Sequence, residues 1–431
     1  MTSKQLLLSR CGIVLVVLLS LGGCELDLTN PNAPTEEAVF TSIEGIIAAA
    51  VGMQSEYASD IDDFLIPGSL GTDEWGTGSR SLISYRSLLD GESFDPAFAV
   101  VEAPWAAAYR TIRSANALLD NAPNFDIGPA FDAGLLAVAK VFKAMAFGTL
   151  VTIYEEVPID ISVEGPVPQP RAAVLTEALS LLESARSDIA GFSDADLSGF
   201  RSRALGTGFD LRNTIDAMLA RYYLIDGQYA EAITAADRVD LSVLSVFPYP
   251  DPNRNPIENL SLQAEYVFPL ESWALQAEAG DGRVSYWVDD LAAPFPGNPD
   301  SLLLPLRKYA TPNEPYPVYL PDEMRLIKAE ALTRQGQFTE ARTLVNDVRT
   351  QSSSSVDEPL ANLPALPDIA LDDEAELLAQ IAYERRYELY MQGQRWEDTR
   401  RFGTALTTTP VFTYLPIPQQ ECDANPSNPC G

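Results

Sequence analysis

The feature that most constrains the fold is a helix–turn–helix pattern that occurs twice, at positions far apart in the chain. Residues 322–350 carry apolar side chains at helical spacing on both sides of Gly336, which predicts two helices joined by a tight turn. Residues 212–240 carry the same pattern around Gly227, and the turn sequences GQFTEA and GQYAEA correspond position by position. Because a short amphipathic helix buries only one face, neither hairpin is expected to be stable without other helices packed against it.

The two turns share more than their glycine. Small residues before and after the turn, with the aromatic ring of Tyr229 or Phe338 two residues after the glycine, resemble the tetratricopeptide pattern. In that pattern the small residues let the helices approach closely, and the ring fills the hairpin. The alternative is two unrelated helical hairpins that share a common turn. Because the copies are not tandem, we expect other helices to pack on each of them, with insertions between.

The other periodic segments are also helical, which places the chain in the mainly α class. Segment 241–321 differs, because it contains thirteen prolines and little periodicity, and a long irregular segment in a compact protein usually carries function. A few short strands are expected, at 264–269, 285–288 and 411–415. The further helices are predicted at 35–57, 103–121, 129–154, 171–190 and 372–391, followed by a shorter one that holds Trp396.

The N-terminus carries an export signal. Lys4 and Arg10 precede an apolar run, residues 12–21, that is short for a membrane span and typical of a secretory signal peptide. The run ends in LGG before Cys24, which resembles a bacterial lipobox. That motif implies that residues 1–23 are removed, that Cys24 is acylated, and that residues 24–34 form a lipidated tether. An ordinary signal peptide with a chance cysteine is the alternative.

Composition excludes several classes of function. The chain has 29 basic and 61 acidic residues, so it is not expected to bind the nucleic-acid backbone. It has no histidine, which excludes Ser–His–Asp and Cys–His catalysis and the usual zinc sites with histidine ligands. Of its four cysteines, Cys11 leaves with the signal and Cys24 is predicted to be lipidated. Cys422 and Cys430 remain, and in an exported protein such a pair predicts a disulfide.

Several motifs agree with one known family. They are the helical motif from Trp105 to Leu119, the helix of 139–158 that ends in Glu-Val-Pro, the blocks 384–389 (ERRYEL) and 393–403 (GQRWEDTRRFG), and the tail 415–426. Together they resemble the SusD/RagB family of outer-membrane nutrient-binding lipoproteins, over essentially the whole mature chain. Gln392, Gln394 and Thr399 depart from the residues usual in that family and weaken one motif slightly.

The resemblance implies a fold and a partner. The fold would be a SusD-like α/α superhelix of tetratricopeptide-like hairpins, in one domain at 35–431. Its N-terminal part would cover about 35–205, and its hairpin and C-terminal part about 206–431, with the loop-rich insertion at 241–321. The partner would be a TonB-dependent SusC-like transporter of the outer membrane, over which the lipoprotein acts as a lid. The ligand would be an oligosaccharide or a peptide outside the cell, with no catalysis, and neither a cofactor nor a metal is predicted.

Aromatic residues in irregular segments are the candidate ligand-binding residues. Sugars present apolar C–H faces that stack on aromatic rings, while neighbouring polar groups bind the hydroxyls. Trp75, Tyr286 and Trp287 lie in the two variable regions where the resemblance places the site. The alternative for these residues is that they pack a loop or face the transporter. Trp105 and Trp396 lie in helical motifs and are predicted to be in the core.

The acidic residues are given structural or solvated roles. Glu384 and Glu388, beside two arginines, predict an ion-pair network that ties the last helices to the hairpins, and Glu397 with Arg401 predicts an i,i+4 pair. Three acidic groups are weaker candidates for a site. They are Asp289-Asp290 and Asp73-Glu74, for which solvated surface is favoured over a glycosidase pair, and the cluster Asp60, Asp62 and Asp63, which lacks the spacing of a calcium loop.

Two other functions fit parts of the sequence. A lipidated tetratricopeptide-like scaffold for outer-membrane assembly would explain the lipobox and the hairpins, but such scaffolds use tandem repeats without a long Pro-rich insertion. A surface glycosidase would need a carboxylate constellation, and adjacent acidic residues on loops give no sign of one.

Overall fold

The computed structural model describes residues 39–90, 95–162, 165–297, 301–366, 372–403 and 413–425. The chain divides into two compact units, Met1–Gly45 and Ile46–Gly431. Only residues 39–45 of the first unit are described, and they include the start of the first helix. The predicted signal peptide, Cys24 and the tether lie outside the described residues, as does Cys430. Cys422 is disulfide-bonded.

The predicted mainly α class is confirmed, since the structure is 58% helical with short strands. The helices of the described residues are α1 Ile43–Ser59, α2 Ile61–Gly71, α3 Ile83–Asp90, α4 Ala99–Asn121, α5 Pro129–Ile153, α6 Arg171–Ile189, α7 Ser198–Ala204, α8 Leu211–Ile225, α9 Tyr229–Ala236, α10 Pro256–Glu258, α11 Glu271–Leu275, α12 Gly282–Trp287, α13 Pro321–Arg334, α14 Phe338–Thr350, α15 Glu374–Glu388, α16 Arg395–Phe402 and α17 Gln419–Ala424.

Within the described ranges, the strands form four antiparallel pairs of two or three residues each. The pairs are β1 Trp75–Thr77 with β5 Val267–Pro269, β2 Glu156–Pro158 with β3 Pro168–Pro170, β4 Val246–Phe247 with β8 Tyr316–Pro317, and β6 Phe295–Pro296 with β7 Leu302–Leu303.

The strand predictions were right in part. β5 falls inside the predicted 264–269, but 285–288 is not a strand, because most of it belongs to helix α12. The carboxylate of Asp281 caps that helix by accepting a hydrogen bond from the backbone N–H of Arg283, which favours helix over strand. Of the predicted 411–415, Leu415 forms a parallel bridge with Tyr154, and residues 411 and 412 lie outside the described residues.

The two hairpins have matching turns. They are α8–α9 and α13–α14, and the glycines at the turns, Gly227 and Gly336, have φ angles of 77° and 76°. The residue after each glycine donates its backbone N–H to the carbonyl oxygen five residues earlier, at 2.8 Å from Gln228 and 2.9 Å from Gln337. A left-handed residue followed by such a bond ends a helix and turns the chain back. The two turns therefore use the same geometry, as predicted from their sequences.

The hairpins meet in space although they are far apart in the sequence. Helix α9 packs against α13, and α13 packs in turn against α15. A bidentate ion pair joins the two hairpins, because Arg221 on α8 contacts Glu323 on α13 at 2.6 and 2.7 Å. Segment 241–321, the loop-rich insertion, therefore leaves the stack after α9 and returns at α13.

Helix α5 is the centre of the N-terminal part. It packs between α4 and α6, and most of its side chains are buried. Among the described residues it is the one helix long and apolar enough to cross a membrane, but it is largely buried within the fold, as core helices of that length are. Gly148 lets α8 approach, since a Cβ atom there would lie 2.0 Å from the hydroxyl oxygen of Tyr222. Such close contacts require the small residues that the sequence supplies.

The C-terminal blocks form the predicted ion-pair network, with one difference in pairing. Arg385 binds Asp398 at 2.9 Å, and both side chains are buried. Glu397 does not pair with Arg401 as predicted from i,i+4 spacing. Arg401 instead binds Glu330 on α13 at 3.0 Å and Asp398 at 2.7 Å. A long-range partner on a packed helix replaces the local pair, which ties α16 to the second hairpin.

Candidate functional site

The three predicted aromatic residues have different environments. Trp75 lies in β1 and is 1% exposed, and Trp287 ends α12 and is 0% exposed. The indole N–H of Trp287 donates to the carbonyl oxygen of Tyr387 at 2.9 Å. A ligand cannot stack on rings that are enclosed in this way, so the structure favours the packing role for both tryptophans. Tyr286 is half-buried and lines a cavity. The predicted core positions of Trp105 and Trp396 are confirmed.

The cavity beside Tyr286 has a volume of about 480 Å³. Helix α12 supplies one wall, the segment before β8 supplies a second, and the loop after α14 supplies a third. Its lining is mostly polar, with one aromatic ring, so the cavity offers hydrogen-bonding groups beside a ring face. The lining residues are Gly282, Ser285, Tyr286, Arg307, Lys308, Glu314, Asp357, Glu358 and Leu360.

The polar groups of the cavity are held in place by one another. The Tyr286 hydroxyl donates to a carboxylate oxygen of Asp357 at 3.0 Å. Lys308 forms ion pairs with Asp357 and, at 3.0 Å, with Glu314. The Lys308 ammonium also lies 5.3 Å from the centre of the Tyr286 ring, within the range of a cation–π contact. These contacts fix the orientation of the aromatic ring before any ligand arrives.

Arg307 anchors the second wall to the first. Its side-chain Nη1 donates to the carbonyl oxygen of Ser285 at 2.7 Å, and its backbone N–H donates to the carbonyl oxygen of Trp287 at 3.1 Å. Helix α12, which carries Tyr286, is therefore fixed to the segment that carries Lys308. Buried Trp287 contributes to the site by packing α12 rather than by contacting a ligand.

Burial and charge set the protonation of two groups in the cavity. Burial raises the pKa of Tyr286, and the Asp357 carboxylate raises it further, so the hydroxyl remains a hydrogen-bond donor at neutral pH. Burial and the nearby carboxylate of Asp322 raise the pKa of Glu358 to about 7. The cavity thus offers an aromatic ring with both donors and acceptors around it, a combination that can bind hydroxyl groups and the apolar face of a sugar.

The other acidic candidates do not form a catalytic pair. Asp289 and Asp290 are exposed, as predicted. For Glu74 the prediction of solvated surface was wrong, because it is 2% exposed and burial raises the pKa of its carboxyl to about 8. Its backbone oxygen accepts the hydroxyl of Tyr390 at 3.0 Å, which holds this turn inside the fold. Neighbouring residues thus differ in role, since Asp73 beside it is exposed.

Sequence reasoning identified the segment of the cavity but not most of its residues. The insertion 241–321 contains Tyr286 and also Arg307, Lys308 and Glu314, which no local motif marks. Asp357 comes from the loop after α14, and only the folding of the two hairpins brings it to Tyr286. A second cavity, of about 530 Å³, lies near α4 and α17 and includes Trp105, a core residue.

Comparison with known proteins agrees with the fold and the motifs. Residues 313–411 match the model of the SusD family. The segment includes the second hairpin and the blocks 384–389 and 393–403, which carry the resemblance. The comparison therefore agrees with the resemblance to the SusD/RagB family over this part of the chain.

One relative is similar in sequence over a short segment, and two solved structures share the fold. A SusD-like protein P38 of Formosa agariphila is 42% identical over 85 residues, which are 20% of this chain and 16% of that protein. The crystal structure of a SusD superfamily protein from Bacteroides thetaiotaomicron covers 90% of this chain and 98% of its own, with a TM-score of 0.67 and 17% identity. A SusD superfamily protein from Bacteroides fragilis covers 91% and 100%, with a TM-score of 0.69 and 17% identity.

Proposed function

We propose that this SusD/RagB-family protein is a cell-surface lipoprotein that binds a nutrient ligand and passes it to a TonB-dependent SusC-like transporter of the outer membrane. The similarity of fold over nine-tenths of the chain, together with the family match at 313–411, supports this proposal. The protein would act as the lid of the transporter, anchored by the acylated Cys24 and facing the outside of the cell.

The cavity at Tyr286 is our candidate for the ligand site, and an oligosaccharide is the proposed ligand. Its volume, about 480 Å³, suits a few sugar units rather than a folded partner. Tyr286 offers a ring face for stacking, and Lys308, Arg307 and Asp357 offer donors and an acceptor for hydroxyl groups. A peptide is the second candidate, because the same charged groups could bind its backbone and termini.

We propose binding without turnover. A glycosidase needs two carboxylates across the scissile bond, one of which holds a proton for the leaving group. Two of the carboxylates that line the cavity, Glu314 and Asp357, are instead ion-paired with the same lysine, Lys308. Both carboxylates are thus bound to the same cation, which favours a positioning role.

Glycan binding tests the cavity directly. The mature protein is incubated with a panel of soluble oligosaccharides, and binding and chain length are both measured. Tyr286→Ala should weaken the affinity for the bound glycan at least fivefold, a loss of about 1 kcal/mol of stacking energy. Tyr229→Ala is the matched control, because Tyr229 is a half-buried tyrosine on α9, outside the lining of the cavity.

Each result has a definite reading. Binding that Tyr286→Ala weakens and Tyr229→Ala leaves intact supports the site. Shortening of the glycan would overturn the proposal that the protein has no catalytic activity. Binding of peptides but of no glycan would move the ligand to the second candidate class.

The partner and the anchor are tested in the cell. Cys24→Ser should abolish labelling by a fatty-acid analogue and release the protein from the membrane fraction. Affinity purification of the acylated protein should recover a TonB-dependent transporter. Recovery of outer-membrane assembly factors in its place would favour the scaffold function.

A further inference from the structure

Three acidic side chains meet inside the protein, below the wall of the Tyr286 cavity. They are Asp322 at the start of α13, Glu358 in the loop after α14, and Glu388 at the end of α15, and all three are buried. One carboxylate oxygen from each lies within 4.8 Å of the other two. Like charges at this spacing repel strongly away from water, so the triad requires something that compensates its charge.

The nearby guanidiniums compensate it only in part. Arg325 pairs with one oxygen of Asp322. Arg283 lies 3.5 Å from Glu388 but binds Asp281 at 2.7 Å and Glu384 at 2.8 Å, so its charge is shared among three carboxylates. The three carboxylates of the triad therefore have less than two full positive charges beside them.

Each carboxylate of the triad has at least one oxygen without a hydrogen-bond donor. Asp322 Oδ2, Glu358 Oε2 and both oxygens of Glu388 are buried without a hydrogen-bond partner, and the Glu388 side chain is 0% exposed. The remaining oxygens have partners: Glu358 Oε1 accepts from Gln351 and Ser354, both at 2.6 Å, and Asp322 Oδ1 pairs with Arg325. Buried polar atoms are nearly always paired, and unpartnered oxygens that converge from three separate segments therefore indicate a cation site.

We propose that Asp322, Glu358 and Glu388 bind a Ca²⁺ ion that joins α13, the loop after α14, and α15. Carboxylate oxygens are the ligands that Ca²⁺ prefers, at 2.3–2.6 Å. A point between three oxygens that are no more than 4.8 Å apart lies at most about 2.8 Å from each, close to a calcium–oxygen bond and long for Mg²⁺. Within the part of the chain that the structure describes, no other group of three acidic residues meets this spacing.

The ion has a route to the site and a structural effect. Glu358 lines the cavity of about 480 Å³ beside Tyr286, so a single side chain separates the triad from that cavity, and its movement would admit an ion. Water from the cavity also supplies the remaining ligands of a six- to eight-coordinate ion. Because the three carboxylates come from segments that are distant in sequence, the ion holds the second hairpin and the loop that follows it against α15. Calcium binding by the triad does not require the proposed role in nutrient binding.

Calorimetric titration with CaCl₂ tests the proposal, with the full mature chain in detergent after chelator treatment. The wild type should bind one tight equivalent of Ca²⁺, and its Tm should rise by about 5 °C in millimolar CaCl₂ relative to chelator. Glu388→Gln should weaken binding at least tenfold and remove the Tm shift. Because an amide has the shape of the acid and no charge, this variant is expected to fold without the ion.

Glu314→Gln is the matched control. Glu314 is an acidic residue on the wall of the same cavity, paired with Lys308 and outside the triad, so its loss should leave the tight equivalent intact. Equal weakening by both variants would show that Ca²⁺ responds only to the acidic surface, and would overturn the site. Absence of a heat signal and of a Tm shift in the wild type would also overturn it, and would mean that shared protons compensate the triad.

Discussion

The ion pair between the two hairpins allows a quantitative prediction. Glu323 on α13 is 0% exposed, and Arg221 on α8 binds both of its oxygens, at 2.6 and 2.7 Å. The Arg221 side chain is 13% exposed, and it also lines a small cavity of about 80 Å³. Removing one partner therefore has different consequences. An unpaired Glu323 carboxylate is fully buried, whereas an unpaired Arg221 guanidinium is still partly exposed to water.

Arg221→Met leaves a carboxylate inside the protein without its partner. The mutant can avoid a buried charge by keeping a proton on Glu323, whereas an ordinary glutamate releases its proton near pH 4.3. Holding that proton at pH 7 costs about 1.36 kcal/mol for each of about 2.7 pH units, or about 3.7 kcal/mol. Near pH 5 the same cost is about 1 kcal/mol. The free energy of unfolding should fall by these amounts relative to the wild type.

Glu323→Met behaves differently, because an arginine cannot lose its proton. The exposed part of Arg221 and the adjoining cavity give its charge access to water, so we expect a loss of about 2 kcal/mol that does not change between pH 5 and pH 7. The double variant Arg221→Met/Glu323→Met removes both charges and should be more stable than either single variant, since apolar replacements of buried pairs are often neutral.

The assay is urea unfolding of the four proteins, followed by circular dichroism at both pH values. The measured quantity is the free energy of unfolding, and the double-mutant cycle gives the coupling between the two side chains. A loss for Arg221→Met that is the same at both pH values would refute the reasoning about proton uptake. A double variant whose loss equals the sum of the single losses would refute the coupling of the hairpins through this pair.

Three further predictions concern packing and burial. Gly148→Ala should lower the free energy of unfolding by about 1–3 kcal/mol, because its Cβ would overlap the ring of Tyr222, while Gly52→Ala, in an open part of α1, should raise it by about 0.5–1 kcal/mol; urea unfolding compares them. Burial raises the pKa of Glu74 to about 8 from an unfolded value near 4.5, so the folded state holds a proton that the unfolded state has released, and stability should fall as pH rises from about 4.5 to 8, by up to about 1.36 kcal/mol per pH unit. Glu74→Gln should remove that slope, and an unchanged slope would contradict the assignment. Trp287→Ala should cost about 3–5 kcal/mol and lower the Tm clearly, since the ring is buried; an unchanged Tm would return this residue to the ligand site.

Local sequence was sufficient wherever a local interaction decides the structure. The glycines at 227 and 336 both adopt the left-handed conformation that ends a helix, and the residues around them predict the two hairpins. Helical periodicity likewise identified the long helices, because burying one face of a helix needs only the spacing of apolar residues. The mainly α class follows from these elements alone.

Exposure and partner choice depended on tertiary contacts. Trp75, Tyr286 and Trp287 are equivalent as aromatic residues in irregular segments, yet only Tyr286 reaches a cavity. Side chains of adjacent residues point in different directions once a segment forms a helix, as residues 285–287 of α12 do. Arg401 similarly bonds a distant glutamate in preference to the one at i,i−4, because packing brings Glu330 closer.

The sequence by itself determined the long helices and the turns of the two hairpins, since these depend on residues close together in the chain. Only the tertiary structure decided which side chains form the cavity and which acidic groups meet inside it. Asp322, Glu358 and Glu388 belong to three segments, and no spacing in the sequence relates them. Their meeting follows from the packing of the second hairpin on α15, a property of the whole fold.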